Sequence, residues 1–145
     1  GFILTYAIVV MPGLSKLDDK DFIKAFQVTD RIIQNNQPIF IFIWVGSIIS
    51  VLSTIIISIL SLGIIEAWLI IFAGVIYLLG VQGITISIHL PLNKYIQKID
   101  VNSNNSQTLS EVRSNFETKW NYFNDIRTGI ALFVILIFLL ILTIR

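Results

Sequence analysis

The sequence predicts an all-α integral membrane protein, an antiparallel four-helix transmembrane bundle in a single domain, residues 1–145. Of its 145 residues, 55% are hydrophobic and only 13% are charged, whereas a soluble domain carries about 25% charged residues. The apolar residues also fall into blocks long enough to cross the roughly 30 Å hydrocarbon core of a bilayer. Composition and block length together exclude a soluble fold, and the chain length suits one compact domain.

Composition also excludes several classes of function. The net charge of +1 offers no basic surface for nucleic acid. There is no cysteine, which excludes disulfides, thiolate metal sites and cysteine nucleophiles. The single histidine has no nearby carboxylate in the sequence and makes a poor metal site, with a lone axial haem ligand as the one alternative. We therefore expect no metal and no cofactor.

The first apolar segment, residues 1–11, is short and ends at Pro12-Gly13. A helix of this length reaches about 16 Å, roughly half of the bilayer core. We interpret it as the end of a first span whose earlier half lies outside the sequence. A re-entrant or interfacial segment is the alternative.

An amphipathic helix is predicted next, at about residues 18–36. Asp18 suits the N-cap, and Asp21 lies in the first turn, where the helix dipole favours an acid. One face carries Phe22, Phe26, Thr29 and Ile33. This face either lies on the membrane surface or covers the end of the bundle.

The second and third spans are predicted at about residues 38–62 and 64–92, and the tight turn at Gly63 makes them a hairpin. Small hydroxyl residues follow one face of the second span and let helices approach closely; they are Ser47, Ser50, Thr54, Ser58 and Ser61. The third span has a matching small face at Gly80, Gly83 and Ser87. We expect these two faces to meet.

Two longer connections join the spans, and the predicted helix at about residues 18–36 belongs to the first. The second connection, between the third and fourth spans, begins with a polar loop and continues as a helix over about residues 108–127. Thr108 to Glu111 has the pattern of a capping box, and Arg113 and Glu117 are spaced to pair. An apolar stripe follows at Val112, Phe116, Trp120 and Phe123. No glycine or proline interrupts the chain before residue 128, so this helix should continue into the fourth span, about residues 128–144.

Both connections must lie on one side of the membrane, and they carry most of the basic residues: Lys16, Lys20, Lys24, Arg31, Lys94, Lys98, Arg113, Lys119 and Arg127. The other side has only Arg145. The positive-inside rule therefore predicts that both connections are cytoplasmic. We expect the bacterial inner membrane as the location.

A polar stripe on the third span is the leading candidate for a functional site. Gln82, Thr85, His89 and Asn93 are spaced by three, four and four residues, which places them on one helix face. Polar groups inside a membrane are costly and usually face the protein interior. Pro91 should kink or end the helix, and freed backbone groups near a membrane surface tend to line cavities. The fourth span lacks polar side chains until Thr143, so a one-sided pocket fits better than a channel.

The fourth helix brings further polar residues to the same level: Trp120, Asn124, Arg127 and Thr128. Together with Asn93 they predict a pocket with an aromatic wall, amide donors and a fixed cation. Each has a structural alternative. Asn93 would cap a helix after Pro91, Arg127 would extend to the interface, Trp120 would be an interface aromatic, and His89 would be a satisfied bundle histidine.

Several of these stretches resemble the anthrone oxygenase-like family, small four-helix membrane proteins known mostly as a domain of unknown function. The matching stretches, in order, are Met11-Pro12-Gly13-Leu14, Phe22, Phe26-Gln27, Asn36-Gln37-Pro38-Ile39-Phe40, Pro91-Leu92-Asn93, Trp120, Phe123-Asn124 and Arg127-Thr128. The chain departs from the family at Gln37, which interrupts an Asn-Pro pair, at Phe123, where tryptophan is common, and at His89-Leu90, where Asn-Val is frequent. The resemblance therefore extends to Asn93, Asn124 and Arg127, but not to His89.

A few relatives oxidise polycyclic anthrones to quinones without a metal or flavin, so the resemblance implies an oxidoreductase acting on a hydrophobic aromatic small molecule. In that hypothesis Arg127 stabilises the substrate anion and His89 accepts its proton. The substrate-binding residues would be Gln82, Thr85, Asn93, Trp120 and Asn124.

The alternative function is a non-catalytic accessory subunit or lipid-binding module. A transporter is disfavoured because the chain has no internal repeat and no second polar stripe. Membrane lipid is the expected partner in any case, and an oligomer or larger membrane complex stays open.

Overall fold

A computed structural model describes residues 1–35 and 37–144, and within these ranges the chain is all-α, as predicted, with no strand. The helices are α1 (Phe2–Leu14), α2 (Asp19–Gln34), α3 (Pro38–Leu62), α4 (Ile64–Gln97) and α5 (Ser106–Ile144). Asn36, which belongs to a resembling stretch and to the predicted helix 18–36, lies outside the described residues, as does Arg145.

Three helices, α3, α4 and α5, are long and apolar enough to cross a bilayer, and α1 is a shorter apolar helix. Their outward side chains are large, apolar and exposed, among them Phe42, Leu60, Ile65, Leu79 and Leu142. Such a surface is stable only against lipid or another apolar partner. The protein is therefore a membrane protein.

The hairpin of α3 and α4 depends on Gly63, whose φ of 80° lies in the left-handed region that favours glycine. The helices then run antiparallel, with Gly74 packed against Ile55 and the Tyr77 hydroxyl 3.0 Å from Ser47 Oγ. A Cβ at position 74 would lie 2.6 Å from Ile55 Cδ1, so glycine permits this close approach.

The prediction that two small faces meet in this hairpin is wrong. Gly80 packs against Ile130 of α5, and Ser50 and Thr54 on α3 are exposed. The Thr54 hydroxyl donates instead to the Ser50 carbonyl of its own helix. A hydroxyl that is satisfied within its helix needs no partner across the contact.

The sequence predicted that Pro91 would kink or end the third span. Helix α4 does not end there but continues to Gln97. Two π-helical segments, Tyr77–Gly83 and Thr85–His89, come directly before the proline. The α-helical register then restarts at Leu90, so Pro91 lies in a first turn, where a missing N–H is tolerated. Asn93 is therefore inside a helix and is not a cap.

Helix α5 is one continuous helix that includes both the predicted second-connection helix and the fourth apolar segment. Its start differs from the prediction, because Asn105 Oδ1 accepts the Thr108 N–H at 2.8 Å and the helix begins at Ser106. The predicted pair of Arg113 and Glu117 is present at 2.9 Å.

Helix α2 packs against α4 and α5, which favours the predicted role as a cover over the helix ends. Asp18 caps it by accepting the Asp21 N–H. Phe22 and Phe26 are buried as expected, whereas Thr29 is exposed and Asp30 is buried in its place. The buried face is rotated from the predicted one and includes polar residues.

The described residues form two separate apolar cores. The connection-end core comprises Tyr6, Met11, Phe22, Ile23, Phe26, Ile96, Val101, Leu109, Val112, Phe116 and Trp120. The span core comprises Ala73, Val134 and Ile137. Arg113 donates to the Ser15 and Leu17 carbonyls, so the two connections lie at the same end of the molecule.

Candidate functional site

The candidate site lies where the connection-end core meets the apolar helices. Helix α5 turns Trp120, Asn124, Arg127 and Thr128 toward the interior, at spacings of four, three and one. All four are buried. Helix α4 faces them with Thr85 and His89, and α1 adds Tyr6.

Arg127 is a buried cation held by neutral groups. Its Nε and Nη2 donate to Asn124 Oδ1 at 3.0 and 2.8 Å, and its Nη1 donates to Thr85 Oγ1 at 3.0 Å. The side chain is 5% exposed and so does not extend to the interface. Neither ion pair in the described part of the chain includes Arg127.

This charge carries a cost that an anion would offset. The guanidinium of Arg127 has five N–H donors, and its hydrogen bonds to Asn124 and Thr85 use three of them. A buried charge without a counter-ion costs several kcal/mol even after the structure relaxes. The arrangement therefore favours binding of an anion or of a group that becomes anionic.

His89 lies beside this cation and is 3% exposed. Its ring meets the Trp120 ring edge-on, with centroids 4.9 Å apart. The Phe123 backbone is close, but neither imidazole nitrogen makes a contact with hydrogen-bond geometry. His89 is therefore buried in the bundle, as its structural alternative expected, but no well-formed hydrogen bond holds its ring nitrogens. Among the described residues, the Thr128 hydroxyl likewise has no hydrogen-bond partner although it is buried.

Trp120 forms a wall of the site rather than an interface anchor, since only 2% of it is exposed. The Arg127 Cζ lies 5.6 Å from the centroid of its ring. The ring centroid of Tyr6 is 5.4 Å away. The indole Nε1 donates to Asn93 Oδ1 at 3.0 Å, which fixes the ring in its plane.

The sequence predicted that Asn93 would face Asn124 and Arg127. In the structure, Asn93 instead contacts Trp120 and α2. Its Nδ2 donates to Asp30 Oδ1 at 2.7 Å. Because α4 continues past Pro91, Asn93 stays on the helix face that meets α2. Asn124 instead donates to the Ile3 carbonyl at 3.2 Å and so ties α1 to the site.

Gln82 belongs to a different cluster one turn deeper. Its Oε1 accepts the Trp44 indole N–H at 2.7 Å, and its Nε2 donates to the Tyr77 hydroxyl at 2.8 Å. These bonds, with Ser47, join α3 to α4. The polar stripe is thus divided, and only Thr85 and His89 of its four residues lie beside Arg127.

Sequence reasoning missed Asp30, a carboxylate that is 2% exposed on α2. Besides Asn93 it accepts from Gln97 Nε2 at 3.1 Å and Gln34 Nε2 at 3.3 Å. Burial raises the pKa of Asp30 above its ordinary 3.8, and the three amide donors oppose that rise. The signal was present, because Gln27 and Asp30 continue the helical spacing of the buried Ile23.

Tyr6 is the second residue near the site that sequence reasoning missed. It begins the π-helical segment Tyr6–Val10, is buried against Trp120, and lies within electrostatic range of both Asp30 and Arg127. A lone tyrosine in a short apolar segment was the available signal.

The predicted pocket is not confirmed, since these side chains pack in contact. Two surface depressions along α5, one of which is also lined by Asp19 and has a volume of about 380 Å³, do not include His89, Asn93 or Arg127. Within residues 1–35 and 37–144, no group of three or more histidine, aspartate or glutamate side chains is placed to hold a metal ion.

Fold and site together define a membrane protein with several apolar helices and a buried arginine at one end. The anthrone oxygenase family model matches residues 34–137, and the chain belongs to this family. No curated protein and no solved structure matches the chain. The matched region includes Thr85, His89 and Arg127, whereas Tyr6 and Asp30 precede it.

Proposed function

We propose that the protein is a membrane oxygenase that binds a hydrophobic, polycyclic aromatic molecule as its enolate or phenolate beside Arg127. The observation that carries this proposal is the buried guanidinium whose described partners are all neutral. Membership of the anthrone oxygenase family supports the substrate class.

Arg127 would stabilise the oxygen on which negative charge develops. Its two remaining N–H donors are already desolvated, and the Thr85 hydroxyl is a neutral acceptor that an oxyanion would displace. Charge-assisted hydrogen bonds are roughly twice as strong as neutral ones. Donors fixed in advance cost no reorganisation when the anion forms.

His89 would accept the proton that leaves the substrate carbon. A neutral imidazole has one nitrogen that can take a proton, and among the described residues neither His89 nitrogen has a partner with hydrogen-bond geometry. The rings of Tyr6 and Trp120 would pack on the polycyclic body of the substrate. Because these side chains now touch one another, substrate binding requires them to separate.

The reaction converts the methylene carbon of an anthrone to a carbonyl. His89 removes one methylene proton, and the electron pair is delocalised onto the carbonyl oxygen beside Arg127. Dioxygen then bonds to that carbon and is reduced, the O–O bond breaks, and the second methylene hydrogen is lost. One oxygen atom stays as the new carbonyl and the other leaves as water, so one anthrone and one dioxygen give one quinone and one water.

We further propose the bacterial inner membrane as the location, with both connections in the cytoplasm. The basic residues of the two connections support this orientation by the positive-inside rule. Membrane lipid would then surround α3, α4 and α5 and supply a route for an apolar substrate.

The close packing of the site favours one second candidate, a non-catalytic lipid-binding or accessory module. In that case the Arg127 donors would hold an anionic lipid headgroup and His89 would transfer no proton. Turnover distinguishes the two candidates.

Purified protein in lipid nanodiscs should convert anthrone to anthraquinone with equal consumption of dioxygen. Arg127→Leu should lower kcat/KM by about 100-fold or more, the range found when one oxyanion donor is removed. His89→Phe should lower kcat by a similar factor with little change in KM, because it keeps the aromatic packing. Arg31→Leu, which removes an exposed arginine on α2, is the matched control. Unchanged turnover in Arg127→Leu, or none in the wild type above the uncatalysed rate, would refute the proposed function.

A further inference from the structure

A chain of hydrogen bonds connects the helix outside the spans to the aromatic wall of the site. Asp30 on α2 accepts from Asn93 on α4, and Asn93 accepts from the indole of Trp120 on α5. The two bonds measure 2.7 and 3.0 Å. Three helices are thereby joined through three side chains.

The charge on Asp30 fixes one end of this chain, and the donor-only indole of Trp120 fixes the other. An ionised carboxylate only accepts hydrogen bonds, so Asn93 must turn its Nδ2 toward Asp30. The Asn93 Oδ1 then faces Trp120, whose indole N–H only donates. A neutral amide at position 30 would carry both an NH2 donor group and a carbonyl acceptor, so that only the Trp120 end would still fix the direction.

Neighbouring amides reinforce this requirement. Gln97 Nε2 donates to the second carboxylate oxygen of Asp30 and also to the Gln27 carbonyl. Because it is held at both contacts, Gln97 cannot reverse its amide without losing a bond. Both oxygens at position 30 therefore face donors.

Trp120 is the end of the chain and a direct neighbour of the site. Its ring contacts His89, with centroids 4.9 Å apart, and lies below the Arg127 guanidinium. A rotation of the indole would move the surface against which both side chains pack.

We propose that Asp30 is a positioning residue, which sets the amide direction of Asn93 and thereby holds the Trp120 ring against His89 and Arg127. Its effect on ligand binding rests on the proposed function, whereas its effect on Trp120 does not. A purely packing role would not require an acid, since burying a carboxylate costs more than burying an amide.

The test follows the three indole N–H signals of ¹⁵N-tryptophan protein in nanodiscs, with Trp120 assigned from Trp120→Phe. In Asp30→Ala, hydrogen exchange at the Trp120 indole should be about five- to tenfold faster, the factor expected when one hydrogen bond is lost. Trp44, bonded to Gln82, and the exposed Trp68 should be unchanged. These two signals also show that the variant is folded.

Asp30→Asn keeps the shape of the side chain and removes its charge. We expect two Trp120 signals or an intermediate exchange rate, because the amide introduced at position 30 cannot accept from Asn93 and Gln97 at once. Asp30→Asn/Asn93→Asp should restore one slowly exchanging signal, since the carboxylate at position 93 then accepts both from the new amide and from Trp120. Asp21→Asn, at an exposed acid of the same helix, should match the wild type.

Anthrone affinity measured on the same samples separates the two proposals. If wild type binds anthrone, Asp30→Ala should weaken binding about tenfold or less, and less than Arg127→Leu does. A changed Trp120 signal in a protein that does not bind anthrone supports the positioning role and refutes the proposed function. An unchanged Trp120 signal in both Asp30 variants overturns the positioning role whatever the affinity.

Discussion

The two ends of this protein are held together by different forces. At the connection end, α1, α2, α4 and α5 bury a large aromatic core beneath a network of amides. Toward the Gly63 turn, α3 buries only Ser58 and meets α4 through close contacts such as that of Gly74 with Ile55. The first end resembles the core of a soluble protein, whereas the second is typical of helices in lipid.

The difference follows from the solvent on each side. Lipid tails are as apolar as leucine, so helices in the bilayer gain little from burying apolar surface and depend on close packing and polar contacts. Helix α2 lies outside the spans, where burial of phenylalanine against water is strongly favourable. The candidate site lies at the boundary between the two regions, where a rigid core can hold a costly charge.

The largest loss of stability is expected from a substitution that disrupts the connection-end core. Phe26→Ala removes a side chain packed against Phe116 with centroids 4.7 Å apart, and it should destabilise the protein by about 3–5 kcal/mol. Phe42→Ala on α3, where the side chain is 78% exposed, is the control and should change stability little. Thermal unfolding in nanodiscs measures both. Equal losses in the two variants would contradict the division into two regions.

A smaller effect is expected at the hairpin contact. Gly74→Val inserts a branched side chain where a Cβ already lies 2.6 Å from Ile55 Cδ1, and it should cost about 1–3 kcal/mol. Gly46→Val on α3 has open space around its Cβ and serves as the control. Adding Ile55→Ala to Gly74→Val should recover part of the loss. No recovery would mean that the strain lies elsewhere.

The smallest effect is a pH dependence that comes from Asp30. Because burial raises the pKa of Asp30 in the folded state, the unfolded chain releases its proton first, near pH 3.8. Between that value and the folded-state pKa the native state binds more protons, so stability falls as pH rises. Melting temperatures across this window should fall more for the wild type than for Asp30→Asn. A larger fall for Asp30→Asn would contradict the sign.

Much of the fold could be predicted because its signals are local. The apolar blocks, the Asp18 cap and the uninterrupted α5 depend on composition and spacing within one segment. The helix at Pro38–Leu62 has the bounds expected from its hydrophobic run and the glycine that follows it. The Arg113–Glu117 pair also needs only the spacing of four.

The site was less predictable because its geometry depends on contacts between segments. The π-helical segments of α4 change which residues share a face, and nothing in the periodicity of the sequence indicates them. Asn93 was predicted to face Asn124 and Arg127 because the two helices bring them to the same level, whereas its partner is Asp30, 63 residues away. Arg127 was predicted as a candidate from the sequence, but its neutral partners become evident only in the folded structure.

Arg127 is proposed to stabilise an oxyanion, and the ionisation of bound anthrone tests this role most directly. Ionised anthrone absorbs at longer wavelength than the neutral form, so a pH titration of the bound compound gives its apparent pKa. With the wild-type protein this pKa should be lower than that of anthrone in empty nanodiscs by about 1–3 units, the range for a charged group beside an opposite charge. In Arg127→Leu the shift should disappear, while Arg31→Leu should retain it. An equal shift in Arg127→Leu and wild type would contradict the account.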